Sequence, residues 1–251
     1  MIGVAVTGAG GHMGREVIEA VTDRDGMDVA LAVNRTAVDP VAGHEVDDEG
    51  DLPRLLDDHD PDVLVDFTLP DPSTRYVEAC ADAGVAAVVG TTGFSESQLE
   101  VIADAAESVP VLRASNFARG VMALRRAIRE AVEAVPDYDI ELTETHHNRK
   151  RDAPSGTALT ILDDVDAVRG AADRVHGREG EQPREDGEVG VHARRAGDVT
   201  GEHELLLAGN HEVLTLTHRA ESRGVFAAGA LDAADWLVGR PAGEYDFEDT
   251  I

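Results

Sequence analysis

The sequence predicts an α/β protein whose N-terminal part is a doubly wound parallel sheet, and three observations carry that expectation. Short apolar runs alternate with amphipathic stretches up to about residue 117. A glycine-rich turn separates the first apolar run from the first amphipathic stretch. After Asn116 the texture changes to segments in which apolar and polar residues alternate, which marks a second region.

Taken in order, Ile2 to Thr7 reads as a buried strand, followed by a glycine loop and a helix carrying Val17, Ile18 and Val21. Met27 to Val33, Val63 to Phe67, Val85 to Val89 and Val109 to Leu112 supply four further strands, with helical stretches at 73–83 and 96–107. Strands that alternate with helices pair in parallel, because each helix returns the chain to the same edge of the sheet. Beyond Asn116 a helix near 119–134 leads into alternating segments at 138–145, 189–195, 202–208 and 212–218, read as antiparallel strands. Residues 170–187, rich in Gly, Arg and Glu, read as a surface loop or lid. A final helix near 224–238 is expected to pack back on the first region. No internal repeat or Pro/Ser-rich linker interrupts the chain.

The charge balance narrows the function classes. Fifty acidic residues face 22 basic ones, a formal net charge of −28, which disfavours nucleic acid as a partner. The acidic residues are dispersed among ordinary apolar runs, and 42% of the chain is apolar, so a solvated acidic surface on a packed core is expected rather than disorder. Such a surface repels itself in dilute buffer and is relieved when salt screens it, pointing to a high-salt cytoplasm. No apolar run approaches the roughly 20 residues of a membrane span, and the first strand lacks signal-peptide form, so a soluble cytoplasmic protein without a membrane partner is expected. The single cysteine, Cys80, excludes an internal disulfide and any multi-Cys metal site; it reads as a small buried residue. Of the 22 basic residues all but Lys150 are Arg.

The loop Gly8-Ala9-Gly10-Gly11-His12-Met13-Gly14 stands between the first strand and the first helix, where a dinucleotide pyrophosphate is held by backbone N–H groups at a helix N-terminus. Gly8, Gly11 and Gly14 form G-x-x-G-x-x-G, whereas the stricter G-x-G-x-x-G fails at Met13; a tight structural turn is the alternative. Gly8 to Met13 are candidate cofactor contacts. At the end of the second strand, where an NAD site usually carries a carboxylate for the ribose, stand Asn34 and Arg35. Without that carboxylate a 2′-phosphate meets no repulsion and can pair with Arg35, which favours NADPH while leaving NADH possible. A plain surface residue is the alternative reading of Arg35. Gly90, Thr91 and Thr92, with Ala114, Ser115, Asn116 and Phe117, follow later strands at the same sheet edge and are further cofactor candidates, though each segment could be only a turn.

The densest chemistry lies in Glu144-Thr145-His146-His147-Asn148-Arg149-Lys150-Arg151-Asp152-Ala153-Pro154-Ser155-Gly156-Thr157. Two histidines followed by a basic run on so acidic a chain point to an anion pocket. A histidine can donate a proton near neutral pH, and an ammonium four residues later can bind a carboxylate or share the acid role. Gly156 and Thr157, at the start of an apolar helix, can add N–H groups and a hydroxyl for a second carboxylate. Lys is a compact, tunable donor where Arg is neither, so the chain's single Lys at this place argues against a plain solvated loop. Zinc on His146 and His147 is disfavoured, because adjacent side chains rarely converge; no metal is expected.

Together these segments resemble the dihydrodipicolinate reductase family: Gly8 to Gly14, Asp66-Phe67-Thr68, Gly90 to Phe94, Ser115-Asn116-Phe117, His146 to Thr157, Arg195-Ala196-Gly197-Asp198, Gly201-Glu202-His203 and Gly243-Glu244-Tyr245-Asp246, in order over nearly the whole chain. The resemblance implies a Rossmann-like dinucleotide-binding domain, 1–117 plus 224–251, and an α+β domain, 118–223, for substrate binding and tetramer formation. It implies His146 as general acid and Lys150 as second donor and carboxylate partner. His147, Gly156 and Thr157 are implied as substrate ligands. The implied reaction moves hydride from NAD(P)H to a small cyclic dicarboxylate with loss of water, in lysine and diaminopimelate biosynthesis, by a homotetramer. Asn34 departs from the acidic residue usual in the family, which tilts the expectation to NADPH. Asn148 and Arg149 stand where the family varies, and Arg223 and Phe226 are candidates for one more cofactor contact. Two other readings remain: another Rossmann-type reductase acting on aspartate or a different cyclic imine, and a dinucleotide sensor without turnover.

Overall fold

The computed structural model describes residues 1–250 and divides into two compact units, Met1–Phe117 with the return segment from Arg223, and Ala118–Ser222.

The first unit is a Rossmann-like doubly wound sheet. Its elements run β1 (Ile2–Thr7), α1 (His12–Thr22), β2 (Met27–Asn34), β3 (Asp47–Asp48), α2 (Leu52–His59), β4 (Val63–Asp66), α3 (Pro70–Ala83), β5 (Ala86–Val89), α4 (Glu96–Ala106) and β6 (Pro110–Arg113). All seven strands are parallel, in the order β12-β6-β5-β4-β1-β2-β3, where β12 (Gly243–Tyr245) comes from the return segment. Strand order reverses between β1 and β4, and the crevice beyond the carboxyl ends of strands at such a point is where ligands of open α/β sheets bind. β4 and β5 are buried at every position, as helices on both faces require. Ala5, Leu31, Leu64, Ala87 and Val111 face a core closed by Leu55 and Leu56 of α2, Val77 and Cys80 of α3, and Ile102 of α4. The returning helix, Gly224–Leu237, lies against α1 and against β4, β5 and β6. Ser95 and Gln98 close a reciprocal capping box at the start of α4, satisfying orphan N–H groups that would oppose helix initiation.

The second unit packs two helices on one face of a five-stranded sheet. In chain order it contains α5 (Arg119–Ala134), β7 (Asp139–His146), α6 (Gly156–Arg169), β8 (Arg174–Val175), β9 (Val189–Arg195), β10 (Gly201–Gly209) and β11 (Glu212–Ala220); α7 is the returning helix of the first unit. The sheet order is β11-β10-β7-β9-β8. Ile140, Leu142, Leu205, Leu207 and Val191 project from alternate positions onto Ile128 and Val132 of α5 and Ile161 and Val165 of α6. Asp164 of α6 accepts from Arg125 at 2.7 Å and from Arg129 at 2.8 Å, which ties the two helices together.

Two expectations need correction, and two elements, α2 and β12, were not predicted. The strands of this unit are not all antiparallel: β7–β9 and β8–β9 pair in parallel, because the crossover through α6 brings the chain back to the same end of the sheet. The stretch 170–187 is not loop throughout, since β8 lies within it and Arg178 and Arg184 bind Glu141 and Glu188. α2 carries three apolar residues, Leu52, Leu55 and Leu56, too short a stripe to stand out beside its acidic neighbours. β12 has three residues and is a strand only by virtue of its partner β6.

Candidate active site

At the crevice of the first unit the chain leaves β1 through a left-handed Gly8, φ +62°, whose carbonyl accepts the Gly11 N–H at 2.8 Å. A Cβ at position 14 would come 2.2 Å from that same oxygen, so glycine is needed for α1 to start directly against the turn. The first turn of α1 carries neither a capping side chain nor an acidic residue, so its N–H groups and positive end suit phosphate oxygens. Ala9 is buried, Gly10 and Met13 are half-buried, and Gly11 and His12 are exposed at the mouth of the turn. Asn34 accepts the Gly10 N–H at 3.2 Å and donates to the Thr36 carbonyl oxygen at 2.8 Å, while Arg35 is exposed beside it.

A carboxylate that sequence reading gave no role of its own ties this edge together. Asp66, at the end of β4 and fully buried, accepts hydroxyls from Thr7 at 2.7 Å, Thr68 at 2.6 Å and Thr91 at 2.6 Å. Three hydroxyl donors satisfy the buried charge and fasten the ends of β1, β4 and β5 to one another. Gly90, Thr91 and Thr92 therefore leave the sheet beside the glycine turn, and Ala114 is tied to Val89 by its N–H at 3.1 Å. Ser115 is exposed and Asn116 half-buried, whereas the Phe117 ring is buried, edge-on to Phe67 and tilted against Phe247. Phe117 thus offers a ligand its backbone, not its ring. The turn, the uncapped helix and the open ribose edge all fit a nicotinamide dinucleotide.

In the second unit the alternation of β7 places Glu144 and His146 on its buried side, and the chain then turns through His147 to Lys150 toward α6. Glu144 has no exposed surface. Its Oε2 accepts from His146 Nδ1 at 2.7 Å and from Arg195 at 2.8 Å; its Oε1 accepts from Arg195 at 2.7 Å and from the Ser155 N–H at 3.1 Å. Burial pushes this carboxyl up, but the hydrogen bonds from His146 and Arg195, with the Arg195 charge, outweigh it and hold it down to about 2. Ser155 also caps α6, accepting the Ala158 N–H at 3.2 Å, and its hydroxyl lies 3.0 Å from His203 Nε2. His203 meets the His146 ring edge-on, with centroids 5.2 Å apart, and burial pushes it down to about 3, so it is neutral. With Nδ1 engaged, His146 presents Nε2 on the side of Gly201, where a Cβ would stand 3.1 Å away.

The remaining candidates gather around this pair. Lys150 is half-buried and lies 2.9 Å from Asp152, Arg149 is 3.1 Å from Asp198, and an exposed Gly156 and a half-buried Thr157 start α6. The basic run is thus partly neutralised by its own neighbours, more than its composition indicated. The arrangement offers one histidine nitrogen, one ammonium and a helix N-terminus, which together can bind a dianion and deliver a proton. Glu144, Ser155, Arg195 and His203 were not among the predicted site residues. The signal for Glu144 was present in the period-two spacing from His146; the others come from distant strands and a helix cap. Among the described residues no group of histidine, cysteine and carboxylate side chains is arranged to hold a metal ion.

Residues 2–117 match the family model described as dihydrodipicolinate reductase, N-terminus, and residues 120–251 match its C-terminus counterpart. The chain is 58% identical to the 4-hydroxy-tetrahydrodipicolinate reductase of Natronomonas pharaonis over 99% of each chain. It is 56% identical to that of Haloarcula marismortui, covering 100% of this chain and 99% of the relative. Among solved structures it is similar to the dipicolinate-bound dihydrodipicolinate reductase of Paenisporosarcina sp. TG-14, with TM-score 0.80 and 28% identity over 100% of both chains.

Proposed function

The chain belongs to the dihydrodipicolinate reductase family, and from that membership we propose that it reduces 4-hydroxy-tetrahydrodipicolinate, the (2S,4S) isomer, to tetrahydrodipicolinate with loss of water. This is a step of lysine and diaminopimelate biosynthesis. The observation that carries the reading is the convergence, around Glu144, of His146 on β7 and the N-terminus of α6, with Lys150 on the turn between them.

The first unit is the dinucleotide-binding domain, with Gly8 to Met13 at the pyrophosphate, Asn34 and Arg35 at the ribose edge, and the segments 90–92 and 114–117 along the crevice. The nicotinamide dinucleotide, when bound, supplies the hydride. Arg35 is exposed and forms no ion pair among the described residues, and no carboxylate stands at position 34; both support NADPH as the preferred form. The second unit binds the cyclic dicarboxylate: Lys150 and His147 take one carboxylate, and the N–H groups and hydroxyl of Gly156 and Thr157 take the other. His146 donates the proton from Nε2, and Lys150 is a second donor. No helix among the described residues is long and apolar enough to cross a membrane, in keeping with work in the cytoplasm. Val213 and Leu214 on the edge strand β11, 62% and 40% exposed, support assembly into a homotetramer.

The test is NADPH and NADH oxidation by the purified protein in molar potassium chloride, with substrate made freshly by the preceding synthase from pyruvate and aspartate semialdehyde. Substrate-dependent oxidation faster with NADPH is expected. Cofactor binding without turnover would overturn the substrate and leave the first unit's role standing.

A further inference from the structure

Glu144 carries a role that the proton donor and the carboxylate ligands do not exhaust. Its two oxygens take four donors: His146 Nδ1, two nitrogens of Arg195 and the Ser155 N–H. A carboxylate so saturated, with no exposed surface, has no lone pair left for substrate. A buried ion pair is also a poor source of stability, because desolvation offsets much of the attraction and a neutral pair of similar volume would serve the fold as well. What a neutral pair could not do is hold a histidine ring by one chosen nitrogen. Which nitrogen of an imidazole carries the working proton is set by the bond the other nitrogen makes.

We propose that Glu144, clamped by Arg195, is the positioning residue of the reaction, fixing His146 with its Nδ1–H on the carboxylate so that Nε2 faces the substrate. The inference rests on His146 being the proton donor. When the imidazolium gives its Nε2 proton to the substrate, Nδ1–H stays bonded to Glu144, the ring becomes the neutral Nδ1–H form, and solvent restores the Nε2 proton afterwards. Glu144 takes no proton at any stage. Its carboxyl, held down near 2, is far too weak a base to compete. Gly201 keeps side-chain atoms off the Nε2 side, where a Cβ would stand 3.1 Å from the nitrogen, and neutral His203 meets the ring edge-on without adding charge.

The experiment uses the full-length protein in three forms: wild type, Glu144→Gln, and the double variant Glu144→Gln with Arg195→Met. Wild-type turnover, measured first, tests the functional reading by itself. Glu144→Gln is expected to lose on the order of 100-fold in kcat, with the KM for the dicarboxylate and the Kd for NADPH little changed. The double variant, freed of its unpaired Arg charge, is expected to regain thermal stability but not turnover. Ring-nitrogen NMR at alkaline pH, with the His146 signals identified by their loss in His146→Gln, is expected to show the Nδ1–H form in wild type and its loss in Glu144→Gln. Wild-type kcat in Glu144→Gln, recovery of turnover in the double variant, or a wild-type His146 protonated on Nε2 would each overturn the proposal. The NMR result stands whether or not the substrate is the one named above.

Discussion

The side-chain oxygen of Asn34 lies 3.2 Å from the backbone nitrogen of Gly10 and accepts its N–H, so the residue at the end of β2, proposed to face the ribose, also braces the glycine turn. A carboxylate at 34 could accept the same N–H, so the two roles of this position can be separated by substitution.

Asn34→Asp is expected to keep the Gly10 contact and lose the donation to the Thr36 carbonyl oxygen, while placing a negative charge where a 2′-phosphate would lie. The ratio of kcat/KM for NADPH over NADH should fall about tenfold, the equivalent of roughly 1.4 kcal/mol. An unaltered ratio in steady-state kinetics would remove position 34 from the ribose site.

Lys150→Arg keeps the charge beside Asp152, now 2.9 Å from the ammonium, but replaces a compact donor by a planar fork that does not release its proton. We expect kcat/KM for the dicarboxylate to fall on the order of 100-fold while the Kd for NADPH, read by fluorescence, stays as in wild type. Unchanged kinetics would deny Lys150 a part in catalysis.

Gly14→Ala puts a methyl group 2.2 Å from the Gly8 carbonyl oxygen, which is backbone and cannot swing away. The turn and α1 must separate, so denaturant unfolding should show a loss of about 3 kcal/mol, with weaker dinucleotide binding beyond that loss. A stable variant that binds NADPH normally would show that the close approach is not needed.

Acid should unfold the protein in two stages. His203 is pushed by burial to about 3 from an ordinary 6.5, so the unfolded chain binds its proton first; stability present above 6.5 is lost as pH falls toward 3. Burial pushes the Glu144 carboxyl up, but its hydrogen bonds hold it near 2 against an ordinary 4.5. Relative to the unfolded chain, its charged form is favoured above 4.5, and that contribution is lost as pH falls toward 2. His218, also lowered by burial, acts in the same direction as His203. Melting midpoints across this range should therefore fall gently below 6.5 and steeply below 4.5. His203→Asn should flatten the upper stage and spare the lower one; an unchanged upper stage would assign it to other groups.

The doubly wound half was legible because its signals are local. A strand, a glycine turn and a helix stand next to one another in the chain, and β4 and β5 are apolar throughout because a parallel sheet is covered on both faces. His146, Lys150, Gly156 and Thr157 were legible for a similar reason, since chemistry-bearing residues crowd one short segment. By itself the sequence determined these elements and the acidic surface, and it named candidate residues for both sites. The tertiary structure alone decided what depends on partners far along the chain. β12 is a strand because β6 lies beside it, and β9 runs parallel to β7 because α6 intervenes. Asp66 is a hub because threonines at the ends of β1, β4 and β5 converge on it. Glu144 holds His146 because Arg195, 51 residues away, and the cap of α6 bring three further donors to one buried carboxylate. A buried charge is tolerated only where its donors meet in space, and sequence spacing carries no trace of that meeting.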